Sequence, residues 1–431
     1  TAEGGIVRPE ILGVLSLAVW ALILVVTVKY VSFLMRADNN GEGGVLSLMA
    51  LARRATGGKW AIVTVLGAMG AALFYGDAIL TPALSVLSAV EGLKSVPAAA
   101  PYLSEGLILA LAIGLLVALF AIQSSGTASV ARWFGPICVL WFLAIGGVGL
   151  SNLIAAPDIL AALNPLYGIQ FLLSHGTVGL LVMGAVFLTV TGAEALTADM
   201  GHFGRLPIRL GWYGLVFPAL LLNYFGQGAF ALVQLDAAAL RGQTLAPADW
   251  FFLMTPEWFR LAMVALATAA TIIASQAVIT GAFSLTQQAI SLGLLPRMTI
   301  RQTSADHAGQ IYVPTVNWLV ALGVLILIMG FQSSSKMAAA YGIAVTGTMV
   351  VTTMLAFIVV WKLWKWSLAA ALALATPFLA LDLFFFGANI LRIIEGGWVP
   401  LAVGACIALL IYIWVRGRAF LTEDARRAAV N

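Results

Sequence analysis

Hydrophobic residues fill this chain in eleven long runs, separated by polar stretches rich in Gly, Pro, Asn and Asp. A helix needs roughly 20 apolar residues to cross a hydrocarbon core about 30 Å thick. The runs are continuous, whereas the strands of a membrane β-barrel alternate over about ten residues. The pattern therefore predicts an all-α, polytopic membrane helix bundle with eleven transmembrane helices at 10–35, 60–90, 106–123, 130–151, 176–197, 207–231, 258–288, 313–331, 337–361, 368–388 and 397–415.

The lengths of the runs and of their connections differ. The runs 60–90 and 258–288 exceed 30 residues, so these helices must tilt or project from the membrane. The two longest connections, 152–175 and 232–257, are predicted to be loops outside the membrane.

Composition also indicates a protein whose solvent is largely lipid. Of 431 residues, 62% are hydrophobic and 9% are charged, whereas a soluble domain is about 45–50% apolar and about 25% charged. Cys138 and Cys406 lie far apart inside apolar runs, which favours neither a disulfide nor a metal pair. With no nucleophile–base pair, metal-ligand cluster or nucleic-acid patch in the sequence, we expect no enzyme, no cofactor and no nucleic-acid partner.

Lysine and arginine predict the orientation, because cytoplasmic loops carry the excess of both. One set of loops and helix ends holds fifteen of them: Arg36, Arg53, Arg54, Lys59, Arg132, Arg205, Arg209, Arg297, Arg301, Lys362, Lys365, Arg416, Arg418, Arg426 and Arg427. The opposite set holds six: Arg8, Lys94, Arg241, Arg260, Lys336 and Arg392. The C-terminus is therefore predicted to be cytoplasmic and Thr1 to be outside, which also predicts that an earlier helix precedes this segment.

Three acidic residues lie deep in the predicted helices, where an ionised carboxylate needs a partner, a water-filled cavity or a proton. They are Asp77, Glu194 and Asp382. Asp382 has no polar stripe around it, so we expect it to pair structurally.

Asp77 begins a polar stripe. Thr81, Ser85 and Ser88 follow it at spacings that place all four side chains on one helix face. Pro82 cannot donate a backbone N–H, which leaves the carbonyl four residues earlier free. Carboxylate, hydroxyl and carbonyl oxygens can together replace the water around an alkali cation. The alternative is a packing stripe whose hydroxyls bond back to their own helix.

Glu194 has Thr191 and Thr197 on its own helix face, and Gly192 and the later Gly201 would let the helix open or break. Broken helices at membrane depth build ion sites in transporters. The alternative is a glutamate that reaches toward water near a cytoplasmic helix end. Asp199 and His202 follow at the predicted cytoplasmic boundary, where they could form a gate or a proton exit. For Asp199 the alternative is a helix cap or a partner of Arg205.

Two further segments combine polar with small residues. In the stretch from Ala338 to Thr348, small residues surround Tyr341, whose hydroxyl could complete a site. Ser275, Gln276 and Thr280 form a similar patch. Helix packing is the alternative for both segments.

Several long motifs resemble the KUP/HAK/KT potassium uptake family across essentially the whole chain. They are Phe74 to Asp77 and on to Gly92, Met35 to Gly44, Ala198 to Gly204, Asn223 to Gly228, and Ala338 to Thr348. The resemblance implies a K⁺:H⁺ symporter of the bacterial inner membrane, whose partners are K⁺, H⁺ and membrane lipid. It leaves a homodimer open.

The resemblance also implies a LeuT-like fold of the amino acid–polyamine–cation superfamily, with two inverted five-helix repeats and two further helices. Residues 1–415 would form helices two to twelve of the transporter domain, and 416–431 would begin a cytoplasmic tail. The helix at 176–197 would be one of two broken helices. Family members open with a helix carrying Gly-Asp-Ile-Gly-Thr-Ser-Pro-Leu-Tyr, which is not found in this sequence.

We therefore expect K⁺ to bind among oxygens of Asp77, Tyr75, Thr81, Thr191 and Tyr341. A proton would travel on Asp77 or Glu194, because burial favours a neutral carboxyl group and a nearby cation favours a charged one. The main alternative is an amino-acid or polyamine transporter on the same fold. A K⁺ channel is not favoured, because the sequence has no filter-type Thr-Val-Gly-Tyr-Gly loop.

Overall fold

The computed structural model describes residues 5–39, 41–125, 132–198, 200, 204–245, 249–302 and 311–430. Within them, eleven helices are long and apolar enough to cross a membrane, which confirms the predicted number. Together with one shorter helix, α2, they are α1 (Arg8–Arg36), α2 (Val45–Ala55), α3 (Ala61–Ser95), α4 (Glu105–Ile122), α5 (Phe134–Ala155), α6 (Pro165–Ala198), α7 (Arg205–Leu240), α8 (Glu257–Ser291), α9 (Pro314–Phe331), α10 (Ser334–Leu363), α11 (Leu368–Ile390) and α12 (Ile393–Glu423).

Short elements occupy some of the connections. A two-stranded antiparallel pair joins β1 (Arg301–Gln302) to β2 (Ile311–Tyr312). Short helical segments lie at Ala100–Tyr102, Gln123–Ser125, Pro157–Leu163 and Trp250–Leu253. The α-helical part of α12 begins at Trp398 and continues beyond Glu423 to Val430.

The two segments predicted to be long loops are partly helical, so that prediction is wrong for much of both. Helix α6 begins at Pro165, where the Asn164 side chain accepts a hydrogen bond from the Leu166 N–H and caps the helix. Helix α7 continues to Leu240. Hydropathy detects the apolar part of a helix, whereas its polar ends are decided by capping and packing.

The short helix α2 was not predicted from the sequence. Leu46, Met49 and Ala52 are fully buried, and the helix packs against α3 and α10. Its last turn carries Arg53 and Arg54. With only eleven residues it is too short to register as a membrane-crossing run.

Burial separates central helices from peripheral ones. In the apolar window of α10, 83% of residues are buried, against 17% in α5, α11 and α12. Small residues allow α10 to lie in the centre. At Gly342, for example, an added Cβ would lie 1.8 Å from Oδ1 of Asn389 on α11. The peripheral helices present apolar side chains outward, as expected for helices that face lipid.

Helices α1 and α6 are among those that depart from regular α geometry. Helix α1 is a π-helix from Leu22 to Phe33, a form often found at functional sites. Helix α6 kinks at Gly176, where φ is 50°, and is interrupted at Thr191 and Gly192. The break predicted around Gly192 is therefore present.

Candidate functional site

The carboxylate of Asp77 lies in the buried interior of the bundle, on α3. Both Asp77 and Thr81 are buried, and the Thr81 hydroxyl donates to Asp77 Oδ1 over 2.8 Å. The four-residue spacing brings the two side chains together on one helix face. The first half of the predicted polar stripe is therefore directed at the interior.

Helix α10 brings Tyr341 to the same point. Its hydroxyl oxygen lies 2.9 Å from the Thr81 hydroxyl, and the Tyr341 side chain also interacts with those of Asp77 and Thr191. Tyr341 is 4% exposed, so its polar end is satisfied inside the protein. Three helices thus converge on one cluster of oxygens.

Thr191 reaches this cluster because α6 is interrupted there. Its backbone is extended, with φ −64° and ψ 154°, and the next residue, Gly192, has a φ of +85° that favours glycine. The Thr191 hydroxyl also donates to the Leu188 carbonyl over 2.8 Å. The interruption thus lets the half-buried Thr191 side chain reach Tyr341 of the cluster.

The structure brings together four of the five predicted ion ligands, Asp77, Thr81, Thr191 and Tyr341. It directs Tyr75 elsewhere, with its hydroxyl 2.6 Å from Thr286 Oγ1 on α8. Two residues along a helix is more than half a turn, so Tyr75 and Asp77 lie on different faces.

The far end of the predicted stripe does not face the cluster. Ser88 is exposed and its hydroxyl donates to the Ser85 carbonyl over 3.1 Å. In this part of the stripe the Ser88 hydroxyl bonds back to its own helix, as the packing alternative predicts.

Glu194 lies beyond the break in α6 and forms a second buried cluster. It is 4% exposed and accepts hydrogen bonds from the Tyr30 hydroxyl of α1 and, over 3.0 Å, from the Thr352 hydroxyl of α10. Thr197 donates instead to the backbone carbonyl of Glu194. The side chain is therefore held inside the bundle rather than extended into bulk water.

A small cavity touches Glu194 from the side of α2 and α8. Its lining includes Gly43, Phe74, Ser284 and Gln288. Ser284 and Gln288 lie in the last two turns of α8. The cavity thus lies between Glu194 and the last turns of α8.

A third buried cluster was only half visible in the sequence. Asp382 pairs with Lys29, whose ammonium lies 2.7 and 2.8 Å from its two carboxylate oxygens, so the expected structural pairing is confirmed. Lys29 itself was missed, although a single lysine within the apolar run 10–35 was the signal that could have revealed it.

The patch on α8 behaves as packing. Gln276 exchanges side-chain hydrogen bonds with Gln123 of the turn that follows α4. The hydroxyls of Ser275 and Thr280 donate to carbonyls of their own helix.

Asp199 and His202, predicted as gating residues, lie outside the described residues, as does Gly201.

The sequence model of the family described as "K+ potassium transporter integral membrane domain" matches residues 2–419. The chain is similar to the "Probable potassium transport system protein Kup 2" of Novosphingobium aromaticivorans, at 66% identity over 430 residues, 100% of this chain and 68% of that protein.

Two further relatives carry similar names. The "Probable potassium transport system protein Kup" of Caulobacter vibrioides is 58% identical over 426 residues, 99% of this chain and 64% of that protein. The "Probable potassium transport system protein Kup 1" of Rhizorhabdus wittichii is 63% identical over 430 residues, 100% of this chain and 66% of that protein. The chain thus spans about two thirds of the length of these curated relatives.

Proposed function

This chain belongs to the family of K⁺ potassium transporter integral membrane domains, and from that membership we propose that it takes up potassium ions across a membrane. The observation that carries the proposal is the cluster of Asp77, Thr81, Thr191 and Tyr341 at the interruption of α6. Burial of an ionised carboxylate among neutral groups in a membrane protein is costly in free energy, and a bound cation or proton reduces that cost.

In this proposal K⁺ binds among the oxygens of that cluster. The carboxylate supplies negative charge, and the hydroxyls of Thr81, Thr191 and Tyr341 supply neutral oxygens of the kind that can replace hydration water. Backbone carbonyls at the interruption of α6 are further ligands of the same chemistry. An ion-binding role for Tyr75 stays a prediction, because its hydroxyl would have to leave Thr286.

We further propose that uptake is coupled to a proton carried by Asp77 or Glu194. Each carboxylate is buried and hydrogen-bonded to hydroxyl groups, so each can change charge without exposure to bulk water. A cation near a carboxylate competes with a proton on it, which links the occupancies of the two ions. Asp199 and His202 stay in the proposal as gating residues at the predicted cytoplasmic boundary.

The fold proposed with this function is the LeuT-like arrangement of inverted repeats. Its support is the interruption of α6 at Thr191 and Gly192, of which Thr191 belongs to the candidate site, since discontinuous helices build midplane sites in such transporters. The bacterial inner membrane and a cytoplasmic C-terminus complete the proposal, and the asymmetry of lysine and arginine supports that orientation.

An amino-acid or polyamine substrate on the same fold is not favoured by the names of the relatives. Competition separates the two substrates directly. If excess amino acids or polyamines leave Rb⁺ uptake unchanged while K⁺ abolishes it, the potassium proposal holds.

The central experiment replaces the carboxylate of Asp77. Rb⁺ uptake is measured in cells that lack other K⁺ uptake and express the complete protein with Asp77→Asn or, as the control that keeps the charge, Asp77→Glu. We expect Asp77→Asn to abolish uptake or raise KM strongly and Asp77→Glu to retain measurable uptake. Unchanged, still proton-dependent uptake by Asp77→Asn would remove Asp77 from the mechanism.

A further inference from the structure

A buried ion pair outside the proposed K⁺ site joins α1 to α11. Lys29 and Asp382 are 1% and 0% exposed, and the ammonium contacts both carboxylate oxygens. Asp382 also accepts from the Thr353 hydroxyl over 2.5 Å, and Lys29 donates to the Met349 carbonyl over 3.4 Å. Both side chains are therefore held in place by α10 as well.

This pair is connected to Glu194 through the residue next to Lys29. Tyr30 donates its hydroxyl to Glu194, and the Lys29 ammonium lies 5.0 Å from the centre of the Tyr30 ring. Lys29 and Asp382 both interact electrostatically with Glu194. Lys29 and Tyr30 lie in the π-helical segment of α1 and both face inward, since neither is more than 1% exposed.

Within the part of the chain that the structure describes, no cation hydrogen-bonds to Glu194. The positive charge of Lys29 is matched by Asp382, at 2.7 Å. The direct partners of Glu194 are the neutral hydroxyls of Tyr30 and Thr352. On its other side, the described cavity lining is uncharged. The network is neutral when Glu194 carries a proton and has one negative charge when Glu194 is ionised.

We propose that Lys29 and Asp382 are positioning residues that together set how tightly Glu194 holds its proton. Asp382 draws the ammonium away from Glu194, which keeps the protonated form of Glu194 favourable. Lys29 in turn prevents Asp382 from acting on Glu194 as a second negative charge. This inference rests on the proposed function, because it assigns Glu194 the coupled proton.

The two single neutral variants must then act in opposite directions. In Asp382→Asn the freed ammonium favours ionised Glu194, so the midpoint of the pH dependence of uptake moves to lower pH. In Lys29→Met the uncompensated Asp382 favours protonated Glu194, so the midpoint moves to higher pH. Each movement should be about one pH unit, the lower end of what a charge at close range produces. The double variant should return toward the starting midpoint.

The experiment measures Rb⁺ uptake by the complete protein between pH 5 and 9, normalised to the amount in the membrane. Lys29→Arg keeps the charge and should keep the midpoint. The matched control is the exposed pair Arg8–Asp158, whose atoms lie 3.2 Å apart. Arg8→Met and Asp158→Asn make the same charge changes outside the network and should leave the midpoint in place. If Lys29→Met does not reach the membrane, Lys29→Gln is measured in its place. If Asp382→Asn does not reach the membrane, Asp382→Ser is measured in its place.

Failure of the inference can be told apart from failure of the proposed function. If the unmodified protein takes up Rb⁺ without any pH dependence, the proton-coupled function is wrong. If its uptake depends on pH but the two single variants move the midpoint in the same direction, or not at all, Lys29 and Asp382 have only a structural role.

Discussion

The Thr81 hydroxyl is the most testable single group in the candidate site, because it joins two other predicted ligands. It lies 2.8 Å from Asp77 Oδ1 and 2.9 Å from the Tyr341 hydroxyl. Thr81→Val replaces that hydroxyl with a methyl group of nearly the same shape. The substitution therefore removes an oxygen and its hydrogen bonds while it leaves the packing almost unchanged.

The magnitude follows from the partner of the hydroxyl. A hydrogen bond to a charged group contributes about 1.5–3 kcal/mol net. At about 1.4 kcal/mol per factor of ten, its loss corresponds to a rise of about 10- to 150-fold in KM for Rb⁺. If the group acts on ion binding rather than on the transport step, the maximal rate should change much less than KM.

The assay is Rb⁺ uptake as a function of Rb⁺ concentration by the complete protein. Thr81→Ser keeps the oxygen and should stay near the starting KM. Thr346→Val is the matched control, because Thr346 is also buried on a central helix but donates to the Gly342 carbonyl of its own helix over 2.7 Å. A KM within about twofold of the starting value in Thr81→Val would refute the proposed ligand set, since one lost hydrogen bond to a charge is worth more than that. Equal effects of Thr81→Val and Thr346→Val would indicate a general loss of polar groups instead.

Three further outcomes are expected. Tyr341→Phe should raise the KM for Rb⁺ about tenfold, since it removes a hydroxyl from the cluster, whereas Tyr75→Phe should leave KM within about twofold. Gly342→Ala should lower the stability of the purified protein by about 1–3 kcal/mol or more, because its Cβ would lie 1.8 Å from Asn389 Oδ1, and thermal unfolding in detergent measures this. Gly192→Ala should slow maximal uptake, because a φ of +85° costs a residue with a Cβ about 1–2 kcal/mol at the interruption of α6.

Each of these outcomes has its own comparison. Gly387→Ala places a Cβ where no atom lies within 4 Å and should not lower stability. Gly192→Asn tolerates positive φ better than alanine and should retain more uptake. If Tyr75→Phe raised KM as much as Tyr341→Phe, the Tyr75 hydroxyl would have to leave Thr286 and join the ion site during transport.

The membrane helices could be predicted because each one needs a long apolar run wherever it packs in the bundle. The α3 run from 60 to 90 and the structural helix Ala61–Ser95 agree for this reason. The short helix α2 could not be found in this way, because its eleven residues are stabilised by burial against α3 and not by lipid. The polar start of α6 and the polar end of α7 depend on helix caps, which a hydropathy pattern does not detect.

The residues of the candidate site were predictable individually but their partners were not. A carboxylate with a threonine four residues later announces a polar helix face, so Asp77 and Thr81 stand out in the sequence. Tyr75 stands two positions from Asp77 and looks equally available, yet the packing of α3 against α8 directs it to Thr286. Asp382 was expected to have a partner, but Lys29 is 353 residues away along the chain.

The linear order of residues was sufficient to predict the all-α membrane architecture and the eleven spans. It was also sufficient to predict the interruption of α6 at Gly192 and the three deep carboxylates. Each of these depends on local spacing or on the high free energy of polar groups in lipid, which any arrangement of the helices must respect. Tertiary packing alone decided which oxygens share the cluster, which hydroxyls bind Glu194 and which cation neutralises Asp382. Those choices arise from contacts among α1, α3, α6, α10 and α11, whose mutual placement depends on close packing across distant parts of the chain.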